Sequence, residues 1–134
     1  ISDPYLSGGG LHEIKKGGLL KIHTDFNKHG QVELDRRLNV IVYLNPNWKE
    51  EFGGELYLAN KKKIVHKILP IANRCVIFST TNKSLHGHPI PLNCKTDTRD
   101  SLALYYYTKN INGKTCFEGD KFHSTIYYDH KIFK

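Results

Sequence analysis

The chain has 134 residues, 39% hydrophobic and 25% charged, with 20 Lys and Arg against 13 Asp and Glu for a formal net charge of +7. That is enough apolar chain for one buried core, too aromatic and too mildly charged for a disordered segment, and without the ~18 consecutive apolar residues of a membrane span or a secretory leader. The cysteines, Cys75, Cys94 and Cys116, are odd in number and lack C-x-x-C spacing, which argues against a disulfide framework or structural zinc and for a reducing, cytoplasmic setting.

In chain order, residues 1–10 end in Gly8-Gly9-Gly10 and read as irregular. Residues 11–16 form a short predicted strand, broken at Gly17-Gly18. The next strand carries Lys21-Ile22-His23-Thr24-Asp25-Phe26. With its period of two, Ile22, Thr24 and Phe26 point one way while His23 and Asp25 point together to the other. Residues 27–35 are polar, with Gly30, and read as a loop. Residues 37–45 (RLNVIVYLN) make the strongest strand, stopped by Pro46. A polar connection over 47–52 holds the single Trp48, and Gly53-Gly54 turns into a strand over 55–58. After the basic turn Lys61-Lys62-Lys63, strands are predicted over 64–69 and 75–79, with Pro70 between them. LHGHPI (85–90) and SLALYYYT (101–108) are the remaining strands, and an added strand is expected over 124–128 in the mixed polar tail.

Eight short strands with turns between them, no amphipathic helix in residues 11–108 and no repeat predict an all-β fold. The expected architecture is a jelly roll of about eight core strands, a single domain over 1–134 with few or no helices. The lysines fall in small scattered groups, which read as solvated loops rather than a nucleic-acid footprint, although their field would draw in a small anion.

A strand that presents an imidazole and a carboxylate on one side offers two ligands of a facial two-histidine, one-carboxylate iron site. His-x-Asp alone is a weak signal in a chain with 8 His. The third ligand must come from a distant strand, and His86 is the candidate, with His88 its competitor on the same face. His12, His29, His66, His123 and His130 read as surface or structural residues. Arg99 opens the last strand, sharing a face with Ser101, Ala103 and Tyr105, while Leu102, Leu104 and Tyr106 share the other. A basic head above two small residues leaves room for a slender dianion. Tyr43, on the face of Asn39 and Ile41, can supply a second contact through its hydroxyl.

HTD, RRLNVIVYLNPNW, GGELYL, HGHPI and RDSLALYYYT, in that order over residues 17–108, resemble the iron(II)/2-oxoglutarate oxygenases of the prolyl 4-hydroxylase-like branch. The resemblance implies a double-stranded β-helix holding iron(II) through His23, Asp25 and His86. It implies that Arg99 pairs with the far carboxylate of 2-oxoglutarate, that Tyr43 touches the same carboxylate, that Leu56 forms an apolar wall and that Tyr105 is an aromatic near the iron. The implied reaction uses O2 to decarboxylate 2-oxoglutarate to succinate while hydroxylating an unactivated C–H bond, with ascorbate as a supporting reductant. The expected substrate is a protein, a peptide or a small molecule, a prolyl residue being the first candidate. Charges balance: two imidazoles and a carboxylate leave iron(II) one positive charge, Arg99 adds another, and the cosubstrate is a dianion.

Relatives usually carry helices ahead of the first core strand, so this chain, which opens on Ile1, is expected to be truncated there or to be an excised domain. A nucleic-acid demethylase of the AlkB type is not expected, since its second arginine would fall at Tyr105. A cupin built on the His86/His88 pair is the metal-site alternative, but no Glu occurs between His88 and Glu118. A catalytically silent basic binding module on the same fold is the alternative from another class, and an intact ligand set argues against it. The sequence carries no signal for oligomeric state.

Overall fold

The apolar, β-branched run RLNVIVYLN lies at the heart of one sheet in the computed structural model, which describes residues 3–95, 98–109 and 121–129. Cys116 and His130 lie outside those residues. Nine strands follow in order: β1 (Gly10–Ile14), β2 (Leu20–Thr24), β3 (Leu34–Tyr43), β4 (Leu56–Ala59), β5 (Ile64–Ile68), β6 (Cys75–Ser79), β7 (Leu85–His88), β8 (Arg99–Lys109) and β9 (Ile126–Tyr127). The one helical element among the described residues is a 3-10 turn at Glu50–Phe52, inside the connection expected to be irregular. No helix among them is long and apolar enough to cross a membrane.

The strands form two sheets, a four-stranded one in the order β1-β8-β3-β6 and a five-stranded one in the order β5-β4-β7-β2-β9. Every pairing within them is antiparallel. This is the expected jelly roll. Between the sheets, Tyr43, Leu56 and Val76 are buried with Ile41, Leu58, Ile68 and Phe78 packed against them. Each such side chain taken fully out of water contributes roughly 1.5–3 kcal/mol, so the two sheets hold each other. A second cluster, Ile22, Tyr57, Ala59 and Leu85, lies on the far side of β2, β4 and β7, with Ile64 and Tyr128 against it. Tyr128 is fixed there by its backbone N–H, which donates to the Ile22 carbonyl (2.7 Å). Trp48, Leu92 and Cys94 form a third cluster, under the loops at one end.

The outer face of the four-stranded sheet is also apolar. Leu11 stands opposite Leu102, Leu102 opposite Val42, and Val40 between Leu104 and Ile77. Leu11 and Ile77 are 71% and 63% exposed there.

Strand ends differ from expectation in two places that shape the site. β3 begins at Leu34 rather than residue 37, passing through a bulge between Arg36 and Leu38. β2 ends at Thr24, so Asp25 is the first residue beyond the ladder rather than within it.

Candidate functional site

His23 on β2 and His86 on β7 are direct cross-strand partners. Such partners put their Cβ atoms about 4.5–5.5 Å apart on one face, and here the two imidazole centroids are 4.3 Å apart. Gly87 makes the approach possible. A methyl placed on it would sit 2.7 Å from the carbonyl oxygens of both Leu20 and Lys21, in the backbone of β2. Gly87→Ala is therefore expected to force β7 away from β2, lowering stability by about 1–3 kcal/mol and weakening Mn(II) binding at least tenfold in a calorimetric titration. Parental Mn(II) affinity in that variant would show that strand spacing does not set the histidine pair.

Asp25 completes the group. Its Oδ1 lies 3.4 Å from His23 Nε2 and its Oδ2 lies 3.4 Å from His86 Nε2. The ligand-capable atoms of the three side chains all fall within 4.8 Å of one another, and among the described residues this is the one group of His, Cys, Asp and Glu able to hold a metal ion. The donor set fits a first-row divalent cation, because two atoms each about 2.0–2.2 Å from a shared ion stand roughly 3 Å apart. His23 Nδ1 lies 2.8 Å from the Lys21 carbonyl. A carbonyl only accepts, so Nδ1 carries the proton and Nε2 is left with its lone pair toward the gap.

The charges are set by the surroundings. Burial would raise the Asp25 pKa, but the His23 contact, His86 and Arg36 outweigh it and hold the carboxyl well below the usual carboxylate range. Burial drives His86 down to about 3 against the pull of Asp25, so its imidazole is neutral and its nitrogen free to donate electrons. Asp25 Oδ2 also accepts from Asn39 Nδ2 (2.8 Å) and pairs with Arg36 Nη2 (3.0 Å). Arg36 in turn donates to Asn39 Oδ1 and lies between two rings, 4.3 Å from the Phe26 centroid and 3.5 Å from that of Tyr105.

From this group a cavity of about 90 Å³ runs between the sheets, past Asn39, Ile41, Leu56 and Ser101, to Arg99. Arg99 is buried; its Nε donates to the Gly54 carbonyl (2.8 Å) and its Nη2 to the Tyr43 hydroxyl (3.3 Å). Gly54 has a φ of +77°, and a methyl there would meet Leu92 at 2.6 Å and the Arg99 stem at 3.1 Å, so the glycine gives the arginine its seat. Burial raises the Tyr43 pKa against the pull of Arg99, which keeps the phenol protonated. Having accepted from Arg99, that hydroxyl still has its own hydrogen to donate.

Six of the seven site residues singled out in the sequence line this cavity. His23, Asp25, His86, Arg99, Leu56 and Tyr105 line it, and Tyr43 reaches it through Arg99. Tyr105 presents only its ring, since its hydroxyl donates to the Gly8 carbonyl (3.0 Å). His88 lines the cavity but falls outside the metal-capable group, so the His86/His88 pair of a cupin is not what the fold gathers. His12, read as surface or structural, also lines the cavity. His29 is structural, buried against Asp3 (3.1 Å). Arg36 and Asn39, which fix the carboxylate, were not singled out. The one signal for Asn39 was a polar residue on the inward face of an otherwise apolar strand.

A facial cluster of two histidines and a carboxylate, set between the sheets of a jelly roll with a buried arginine at the far end of the cavity, defines a class of metalloprotein. Residues 9–107 match the 2OG-Fe(II) oxygenase superfamily, and the chain belongs to that family. Among solved structures it is similar to a prolyl-4-hydroxylase from Pseudomonas putida, with a TM-score of 0.58 and 20% identity over 73% of this chain and 46% of that one. It is also similar to a prolyl hydroxylase from Trichoplax adhaerens in complex with a peptide fragment of the hypoxia inducible factor oxygen degradation domain. There the TM-score is 0.47, with 30% identity over 63% of this chain and 37% of that one. The chain thus spans less than half the length of either solved structure. A search of curated proteins found no match.

Proposed function

We propose that the chain carries the catalytic centre of an iron(II)- and 2-oxoglutarate-dependent dioxygenase that hydroxylates an unactivated C–H bond, with 2-oxoglutarate converted to succinate and carbon dioxide. The observation that carries this reading is a single cavity lined by the His23–Asp25–His86 cluster and by Arg99, with Tyr43 hydrogen-bonded to the arginine. In this reading His23, Asp25 and His86 hold the metal, and iron(II), when bound, supplies the oxygen activation that no side chain can provide.

The remaining residues bind and orient. Arg99 offers its unspent guanidinium edge to the distal carboxylate, where a planar fork grips two oxygens at once. Tyr43 donates its hydroxyl hydrogen to the same group. Leu56 and Ile41 form the apolar walls that keep water off the cosubstrate chain, and the Tyr105 ring closes the wall near the metal. Asn39 and Arg36 hold Asp25 so that its carboxylate does not swing away when the metal leaves.

The substrate proposed first is a prolyl residue in a protein or peptide, in line with the prolyl-4-hydroxylase whose fold the chain shares; free amino acids and other small molecules come next, and nucleic acids are not favoured. The test is succinate release from 2-oxoglutarate in the presence of iron(II), O2 and ascorbate, followed by mass spectrometry of proline-containing peptides for the gain of one oxygen atom. Slow succinate formation that disappears on chelation is the expected result. A chain that neither forms succinate nor binds 2-oxoglutarate in its Mn(II)-loaded state would overturn the reading.

A further inference from the structure

His88 faces the cavity, and the reading above leaves its chemistry unused. It is 3% exposed, and neither ring nitrogen has a hydrogen-bond partner among the described residues. A buried imidazole with both nitrogens idle is costly, since each polar group gave up water and received nothing, whereas an aliphatic side chain would fill the same space without that loss. The observation asks for a ligand.

Three features say which one. His88 lies two residues beyond His86 on β7, so it faces the same side of the sheet, into the cavity. It is not part of the cluster whose ligand atoms approach within 4.8 Å, so the metal does not satisfy it. It shares the cavity with Arg99. An imidazole carries at least one N–H in either protonation state, and a dianion lying between the metal and Arg99 has only acceptors.

We propose that His88 is a cosubstrate-binding residue that donates a hydrogen bond to the distal carboxylate held by Arg99, making the site select a 2-oxo acid with a second carboxylate. This rests on the oxygenase reading above and adds to it a residue that discriminates among 2-oxo acids. The bond joins an imidazole N–H to a charged acceptor, so its loss is worth roughly ten- to a hundredfold in affinity.

The test is calorimetry on the Mn(II)-loaded chain with 2-oxoglutarate and with 2-oxopentanoate, which has the same carbon chain but no distal carboxylate. His88→Leu is expected to weaken 2-oxoglutarate binding about ten- to a hundredfold, to leave 2-oxopentanoate within about threefold of the parent, and to leave Mn(II) affinity unchanged. His88→Gln, which keeps a donor, is expected to recover most of the loss. His88→Val serves as the second apolar variant should the leucine not fold. Parental affinity of His88→Leu for 2-oxoglutarate, or an equal loss for both acids, overturns the proposal while leaving the oxygenase reading intact. A parent chain that binds neither acid overturns that reading, and this one with it.

Discussion

Asp25→Ala is expected to abolish divalent-metal binding and, with it, iron-dependent succinate release. Asp25 supplies the cluster's one negative charge. Without it, two neutral imidazoles would face a dication beside the Arg36 guanidinium, now stripped of its 3.0 Å partner. Even groups that only orient a ligand cost 10–100-fold in metal affinity when removed, so loss of the carboxylate itself should exceed about a hundredfold. The variant should also unfold more easily. Removing one partner of a buried ion pair destabilises by about 3–5 kcal/mol because the other charge is left uncompensated, and Arg36 is 1% exposed. The two effects separate in the double variant Asp25→Ala/Arg36→Met, which removes the stranded charge and should recover much of the stability but none of the metal binding. Mn(II) titration of the folded proteins decides it; parental affinity in Asp25→Ala would take Asp25 out of the site.

That pairing of Asp25 with Arg36 marks where sequence reasoning stopped. Alternation along the strand predicted over 21–26 was enough to put His23 and Asp25 on one side, although β2 ends one residue short of Asp25, and alternation along β8 was enough to line up Arg99, Ser101, Ala103 and Tyr105. The same rule sends Arg36 outward with Leu38 and Val40, away from Asn39 and Tyr43. The bulge between Arg36 and Leu38 reverses that phase and turns the guanidinium inward. A one-residue slip leaves no trace in a hydrophobic pattern, so the residue that braces the carboxylate was hidden while the carboxylate was not. The faces of the four-stranded sheet were hidden for another reason. Leu102 and Leu104 on one side of β8 are as apolar as the core-facing side, and only the packing decides that Leu11 and Ile77 stay exposed. Nor could local pattern reveal that Tyr128, a hundred residues along the chain, covers Ile22.

Arg99→Ala carries the second large effect, on the cosubstrate instead of the metal. The guanidinium is held before any ligand arrives, by the Gly54 carbonyl at 2.8 Å and the Tyr43 hydroxyl at 3.3 Å, so little of its binding energy is spent on ordering a long side chain. Truncating one member of a buried, hydrogen-bonded charge pair costs about 2–5 kcal/mol, which at about 1.4 kcal/mol per decade weakens 2-oxoglutarate binding by roughly thirty- to several-thousandfold. Mn(II) affinity should not follow, because the arginine stands at the end of the cavity away from His23, Asp25 and His86. Arg99→Lys should recover only part of the loss, since an ammonium keeps the charge but cannot form the planar two-oxygen fork, nor reach Gly54 and Tyr43 together while doing so. Calorimetry of 2-oxoglutarate against the Mn(II)-loaded variants reads both steps. Equal cosubstrate affinity in Arg99→Ala and the parent would mean that the dianion lies elsewhere, and that the buried guanidinium serves only to tie β8 to the Gly53–Gly54 turn.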